Sequence, residues 1–210
     1  MLFTKYVACI YEGSAERAII ELLLENDKLR FNWDDLLEGE LIQCRSAKNF
    51  EEQYLRKEFT EKITVIRILD SRKEKFKLGP AYAEKVEDII NIVTAPEIEM
   101  LIILKEGRYA EYKKSCKKPS DFCKTELKLP KVKNYNFVKQ YFGHVDTLIN
   151  AICEYKRVSN IPKGECTLMD ILKPETIIDC RGGYRVKSHI VYRLCNHMVY
   201  TLSLIQPGVI

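Results

Sequence analysis

The chain lacks most of the patterns that identify common classes of protein. Its eight cysteines include no Cys-x-x-Cys pair and it has only three histidines, so no spacing predicts a zinc site. A glycine-rich phosphate loop is missing, which argues against ATP hydrolysis by this chain. No uninterrupted apolar stretch reaches the roughly 18 residues that a membrane span requires. We therefore predict a soluble protein with no membrane partner.

The N-terminus carries no secretory signal, and several cysteines lie inside apolar runs as buried hydrophobic residues do. They are expected to be reduced thiols in a cytoplasmic protein. With 210 residues, 46% hydrophobic and 30% charged, the chain is large enough for one well-buried main domain. The net charge of +4 is too small to indicate nucleic-acid binding by itself, so the distribution of charge matters more.

Apolar runs and helical periodicity alternate over the first 94 residues. Strands are predicted near residues 5–11, 40–45 and 63–69, and helices near 14–27, 47–59 and 80–94. The first helix is expected to leave Glu16 and Glu21 towards solvent. Alternation of this kind predicts an α/β fold with a mostly parallel central sheet flanked by helices. Pro96 starts a further helix with Glu97 and Glu99 in its first turn.

The second half of the chain has a different character. Residues 105–133 are rich in lysine, a helix is predicted over 136–157, and short extended runs occur at 177–178 and 190–194. We expect residues 1–104 to form the α/β core. Residues 105–210 are expected to form a basic helical segment and a mixed C-terminal extension, packed on the same core.

Acidic residues follow two of the predicted strands. Glu12 ends the first strand and Asp70 ends the run Ile63–Leu69. Ligands of parallel α/β sheets bind at the carboxyl ends of the strands, and carboxylate oxygens suit hard cations such as Mg²⁺. Simpler roles remain open. Glu12, Glu97 and Glu99 would also stabilise helix N-termini, and Asp70 would also suit a turn or a helix cap.

Three motifs together resemble the TOPRIM fold, and most of all the small TOPRIM-like proteins of bacterial phage-defence systems, relatives of the OLD-family and RloB-like nucleases. They are Tyr11-Glu12-Gly13-x-x-Glu16 before a helix, Leu69-Asp70-Ser71-Arg72 after a strand, and Pro96-Glu97-Ile98-Glu99-Met100-Leu101-Ile102. The resemblance covers roughly residues 5–105. It implies that Glu12 is a metal ligand or general acid/base, that Asp70 binds Mg²⁺ or Mn²⁺, and that Glu97 or Glu99 completes the metal site.

The chain departs from the family pattern at one position. Where the family has Asp-x-Asp, this sequence has Asp70-Ser71-Arg72. Arginine cannot ligate a cation, but it can hold a phosphate oxygen bidentately. We therefore expect a catalytic set of Glu12, Asp70 and Arg72 around one metal ion, or else a degenerate site.

The basic segment is a candidate nucleic-acid interface, in which lysines contact phosphates and Tyr109, Tyr112 or Phe122 stack on bases. The lysines assigned to it are Lys113, Lys114, Lys117, Lys118 and Lys124. A solvated, lysine-rich helical face would look the same in the sequence.

These features favour a Mg²⁺-dependent nuclease that cleaves DNA or RNA. The resemblance implies a toxic effector of anti-phage defence, controlled by a regulatory ATPase partner, and it is compatible with a homodimer. The alternative is a TOPRIM-like binding or regulatory subunit whose metal site has decayed, and Arg72 is its main support.

Overall fold

A computed structural model describes residues 4–72, 75–94 and 96–181, and the chain up to Cys180 forms one compact unit. The extended run predicted at 190–194 lies outside the described residues. The strands are β1 (Tyr6–Tyr11), β2 (Ile42–Gln43), β3 (Ile63–Leu69) and β4 (Val86–Val93). The helices are α1 (Ser14–Glu25), α2 (Ala47–Tyr54), α3 (Pro80–Ala83), α4 (Glu97–Lys105), α5 (Tyr109–Ser115), α6 (Pro119–Thr125), α7 (Tyr135–Tyr141), α8 (Val145–Val158) and α9 (Pro174–Arg181).

The four strands form one parallel sheet in the order β2-β1-β3-β4. Every residue of β3 is buried, as is every residue of β1 after Tyr6. Strands covered on both faces need continuous apolar runs and not alternation, which is why these segments are so uniformly hydrophobic. The predicted α/β class, with a parallel central sheet flanked by helices, is therefore confirmed. This architecture is consistent with a Rossmann-like fold.

A separate hydrophobic core covers each face of the sheet. On one face, residues of β1 and β3 share a cluster with Leu23 of α1, Leu101 of α4, Phe122 of α6 and Ile152 of α8. Phe50 of α2 belongs to the cluster on the other face. Helix α4 is mostly apolar and contacts both α6 and α8, so the helices after residue 105 share a core with the sheet.

The prediction of a helix over residues 80–94 is wrong. Only Pro80–Ala83 is helical, and Val86–Val93 forms β4, which pairs in parallel with β3. A short apolar run does not distinguish strand from helix by periodicity alone. The β-branched side chains of this run suit a strand, and pairing on β3 satisfies its backbone.

Four other predicted elements differ from the structure. The strand predicted near residues 40–45 is limited to Ile42–Gln43. Helix α2 ends at Tyr54, five residues before its expected end. The helix predicted over 136–157 is divided into α7 and α8 by a break at Phe142–His144. Residues 177–178 lie in α9 and are not extended.

Among the helices that the structure describes, α8 is the longest with 14 residues. None of them has both the length and the apolar surface needed to cross a bilayer.

Candidate functional site at the carboxyl edge of the sheet

Polar residues follow β1, β3 and β4, which are neighbours in the sheet. Glu12 comes directly after β1, Asp70 after β3 and Thr94 after β4. The parallel order therefore brings the two acids predicted from the sequence to the same edge. Helix α1 begins at this edge as well and contributes Glu16 in its first turn.

Glu12 is joined directly to the segment after β3. Its carboxylate Oε2 accepts a hydrogen bond from the backbone N–H of Asp70 at 3.0 Å, and the Glu12 side chain is only 5% exposed. Asp70 itself is exposed. This contact fixes the Asp70 backbone from within the protein, and Asp70 remains accessible to solvent.

Glu16 is buried at the same edge, which corrects the expectation that it faces solvent. It is 4% exposed, and the Thr94 hydroxyl lies 3.4 Å from its Oε1. A Cβ atom at position 13 would lie 2.3 Å from Glu16 Oε2, so Gly13 is the residue that lets this carboxylate fold back over the start of α1. The expectation for Glu21 is also wrong, because it is buried and accepts hydrogen bonds from Arg17 and Tyr135.

Burial raises the pKa of Glu16 above its ordinary value of 4.5, and the nearby Asp70 charge raises it further. The backbone of Glu16, Lys133 and the Thr94 hydroxyl act in the opposite direction but do not outweigh burial. A raised pKa means that the charged form of this carboxyl is less favourable in the folded protein than in water. Glu16 and Asp70 thus concentrate negative charge in a partly desolvated place, and a cation would relieve it.

We predict that Glu16→Gln stabilises the metal-free protein at neutral pH. Because its folded-state pKa is raised, the contribution of Glu16 to wild-type stability is greatest below pH 4.5 and is lost as pH rises through the raised pKa. The uncharged amide does not titrate, so its advantage should grow over that pH range. At pH 7.5 we expect a melting temperature about 2–4 °C higher, the shift that roughly 1 kcal/mol produces in a domain of this size.

Thermal melts in EDTA between pH 4 and pH 8 measure this difference. Glu52→Gln, which changes an exposed acid of α2, is the matched control and should show no such pH dependence. An advantage of Glu16→Gln that shrinks as pH rises would contradict the prediction.

The two acids of α4 are placed differently. Glu99 is 5% exposed, and its Oε1 lies 3.5 Å from the Lys133 ammonium. Lys133 is itself anchored beside α1, because its carbonyl accepts a hydrogen bond from the Ser14 hydroxyl at 2.9 Å. Glu97 is the first residue of α4, and its side chain lies outside the described part of the chain. The contribution of Glu97 and Glu99 to a metal site stays a prediction.

Among the described residues, no three His, Cys, Asp or Glu side chains are placed to hold one metal ion. Mg²⁺, however, is commonly bound through only one or two carboxylates and keeps several waters. Glu16 and Asp70 supply two carboxylates, and the Asp70 charge is close enough to contribute to the raised pKa of Glu16. All the donors at this place are oxygens, which suits a hard divalent cation.

Arg72, which is predicted to bind a phosphate, forms an ion pair with Glu165. Its Nε donates a hydrogen bond to Glu165 Oε1 at 2.8 Å, and this bond raises the pKa of the guanidinium. About half of the Arg72 side chain is exposed. Glu165 thus orients the guanidinium without enclosing it.

A cavity of about 460 Å³ opens beside Arg72. We call it the tyrosine cavity, since its wall includes three tyrosines as well as Arg72 and two lysines. These residues are Arg72, Tyr109, Tyr112, Lys113, Lys117 and Tyr155. Pro96 and Met100 of the α4 region also line it. Arg72 is two residues beyond Asp70, and Pro96 is two residues beyond Thr94. The cavity therefore lies beside the acidic edge of the sheet.

The structure divides the predicted basic interface. Lys113 and Lys117 line the tyrosine cavity, whereas the exposed Lys114, Lys118 and Lys124 are not part of its wall. Phe122 is not placed to stack on a base, since it is 1% exposed in the core. Its ring instead supports Tyr112 in an edge-to-face contact, with the ring centroids 5.6 Å apart.

Three residues of this region were not assigned to a site from the sequence. In the sequence, Glu16 is only the last residue of the Tyr11-Glu12-Gly13-x-x-Glu16 motif, Lys133 is one lysine among many, and Tyr155 lies far along the chain in α8. The Gly13-x-x-Glu16 spacing is the signal that could have identified Glu16, because a glycine before a helix lets a first-turn acid fold back. No comparable signal in the sequence identifies Lys133 or Tyr155.

Fold and site together define a parallel α/β protein with an acidic strand-end site beside a basic, aromatic cavity. Comparisons with protein-family models, with curated proteins and with solved structures find no match for this chain. The TOPRIM relationship stays a prediction from the three motifs.

Proposed function

We propose that this protein hydrolyses phosphodiester bonds of nucleic acid with the help of Mg²⁺ or Mn²⁺. One observation carries the proposal: Asp70 and Glu16 lie at the carboxyl edge of the sheet, and the basic tyrosine cavity lies beside this edge at Arg72 and Pro96. Phosphoryl transfer to water needs a cation near the reacting phosphate and positive side chains for the rest of the strand. In this proposal the acidic edge would hold the cation, and the basic cavity beside it would hold the strand.

Each residue has a definite part in this proposal. Asp70 and Glu16 would hold the cation, and Glu12 positions Asp70 through its backbone N–H. When bound, a divalent cation supplies Lewis-acid stabilisation of the negative charge that builds on a phosphoryl oxygen. Arg72, oriented by Glu165, and Lys113 hold phosphates of the strand in the tyrosine cavity.

We further propose that the core is of the TOPRIM type and that the protein is an effector of anti-phage defence under the control of a partner ATPase. The three motifs described above support this part of the proposal. The given sequence has no glycine-rich phosphate loop, so this proposal assigns ATP hydrolysis to the partner.

The test is a cleavage assay with the full chain. Labelled single-stranded and double-stranded DNA and RNA are incubated with 5 mM Mg²⁺ or Mn²⁺, and in parallel with EDTA. We expect cleavage of at least one substrate with metal and none in EDTA. Cleavage that continues unchanged in EDTA would contradict a metal-dependent mechanism.

A second function, nucleic-acid binding without cleavage, is favoured by Lys133. Its ammonium lies 3.5 Å from Glu99 and also lowers the pKa of Glu16, so the protein already carries a cation beside these acids. In that case the acidic edge is a structural ion pair, and the metal site of the TOPRIM family has decayed. Tight binding without cleavage under every metal condition would favour this second function.

A further inference from the structure

The walls of the tyrosine cavity are positively charged. Among its lining residues, three are basic and none is acidic. Two of the three are held by acids outside the wall: Arg72 bonds to Glu165 at 2.8 Å, and Lys117 lies 2.5 Å from Glu126. Lys113 is exposed and forms no ion pair among the described residues. An anionic ligand would therefore meet one uncompensated lysine and one oriented guanidinium.

The aromatic side chains are held in place by their neighbours. The Tyr109 and Tyr112 rings lie 6.3 Å apart, and the Tyr109 hydroxyl donates a hydrogen bond to the Val158 carbonyl at 3.3 Å. Tyr112 rests edge-on against the buried Phe122. Both tyrosines are half-buried, with part of each side chain facing the cavity. Rings held in this way can stack on a base without first being ordered.

The size of the cavity limits what it can accept. A volume of about 460 Å³ lies within the range of roughly 300–1,000 Å³ that is usual for small-ligand sites. A base that remains paired and stacked inside a duplex presents no face to side chains within such a cavity, so the base must be unpaired. Together with the charge and the tyrosines, this size suits a single nucleotide with its phosphate.

We propose that the tyrosine cavity binds one unpaired nucleotide of a single-stranded nucleic acid, with the base against Tyr109 and Tyr112 and the phosphate at Arg72 and Lys113. The inference rests on the proposed function only for where the strand is cut. It implies that the substrate of that function is single-stranded nucleic acid. A strand seated there continues towards Asp70, two residues from Arg72 in the chain. Lys114, Lys118 and Lys124 contribute little to this binding.

Binding measured without cleavage tests the inference separately from catalysis. Fluorescence anisotropy of a labelled ten-nucleotide oligothymidine is recorded in EDTA at 150 mM salt, with the full chain. We expect Lys113→Glu to weaken binding about tenfold, since a phosphate contact becomes a repulsion. Lys114→Glu, the same change at the next residue of α5 but outside the cavity wall, should weaken binding less than about twofold. Equal losses in the two variants would overturn the proposal.

A second measurement needs no variant. An oligonucleotide of the same length and charge with abasic sites should bind wild-type protein about tenfold more weakly than oligothymidine, because base stacking is lost. A duplex of the same length should also bind more weakly. Equal affinity for the abasic strand, for the duplex, or for thymidine monophosphate would overturn the proposal. The absence of cleavage would count only against the proposed function, because these measurements contain no metal.

Discussion

Replacing Asp70 by Asn should reduce metal-dependent cleavage at least about a hundredfold while leaving the fold unchanged. The contact between Asp70 and Glu12 uses the backbone N–H of residue 70, so the amide side chain does not disturb it. Only the carboxylate charge at the exposed end of β3 is removed. A catalytic cation contributes several kcal/mol to transition-state stabilisation, and each 1.4 kcal/mol is a factor of ten in rate.

Initial cleavage rates in Mg²⁺, together with melting temperatures in EDTA, measure this effect. Asp88→Asn is the matched control, since it changes an exposed acid within β4 and should retain the wild-type rate. A wild-type rate in Asp70→Asn would remove Asp70 from the catalytic site. A rate lost equally in both variants would point to a general effect of charge.

Replacing Phe122 by Ala should lower the melting temperature by about 6–20 °C. The Phe122 side chain is 1% exposed and belongs to the core shared by α1, α4 and α8. Truncation of a buried phenylalanine costs about 3–5 kcal/mol, and in a domain of this size each kcal/mol lowers the melting temperature by about 2–4 °C. Loss of support under Tyr112 should weaken nucleic-acid binding as a secondary effect.

Thermal melts followed by circular dichroism measure the change. Lys124→Ala, an exposed residue of the same helix, is the control and should melt within about 1–2 °C of wild type, as surface substitutions usually do. If Phe122→Ala melted like wild type and lost only nucleic-acid binding, Phe122 would be a base-stacking residue and not part of the core.

The positions of the strand-end acids could be predicted from the sequence pattern. Apolar runs that end in Glu12 and Asp70 predicted two parallel strands with carboxylates at one edge, and β1 and β3 are adjacent with those residues in place. The segment that contains Val86–Val93 fits the helix predicted over 80–94 by periodicity, because a short, partly apolar run does not distinguish helix from strand in this way. Its identity as β4 depends on an open edge of β3, which is a long-range property.

The sequence pattern predicts the burial of charged residues less well than the burial of apolar ones. Glu16 and Glu21 were expected on the solvent face of α1, yet residues far along the chain cover both of them: Thr94 lies beside Glu16, and Tyr135 bonds to Glu21. Helical periodicity indicates which face meets the sheet, but other elements can bury the remaining face. The burial of these acids therefore depends on the tertiary packing of other segments against α1.

The sequence alone determined the α/β class, the parallel central sheet and the edge at which the two strand-end acids lie, since these follow from local hydrophobic patterns and from the direction of parallel strands. The tertiary structure decided which side chains meet there. The coverage of Glu16 by Thr94, the Lys133–Glu99 ion pair and the assembly of the tyrosine cavity from α5, α8 and Arg72 all join residues distant in the chain. No local pattern encodes these contacts, because each depends on the packing of several elements at once.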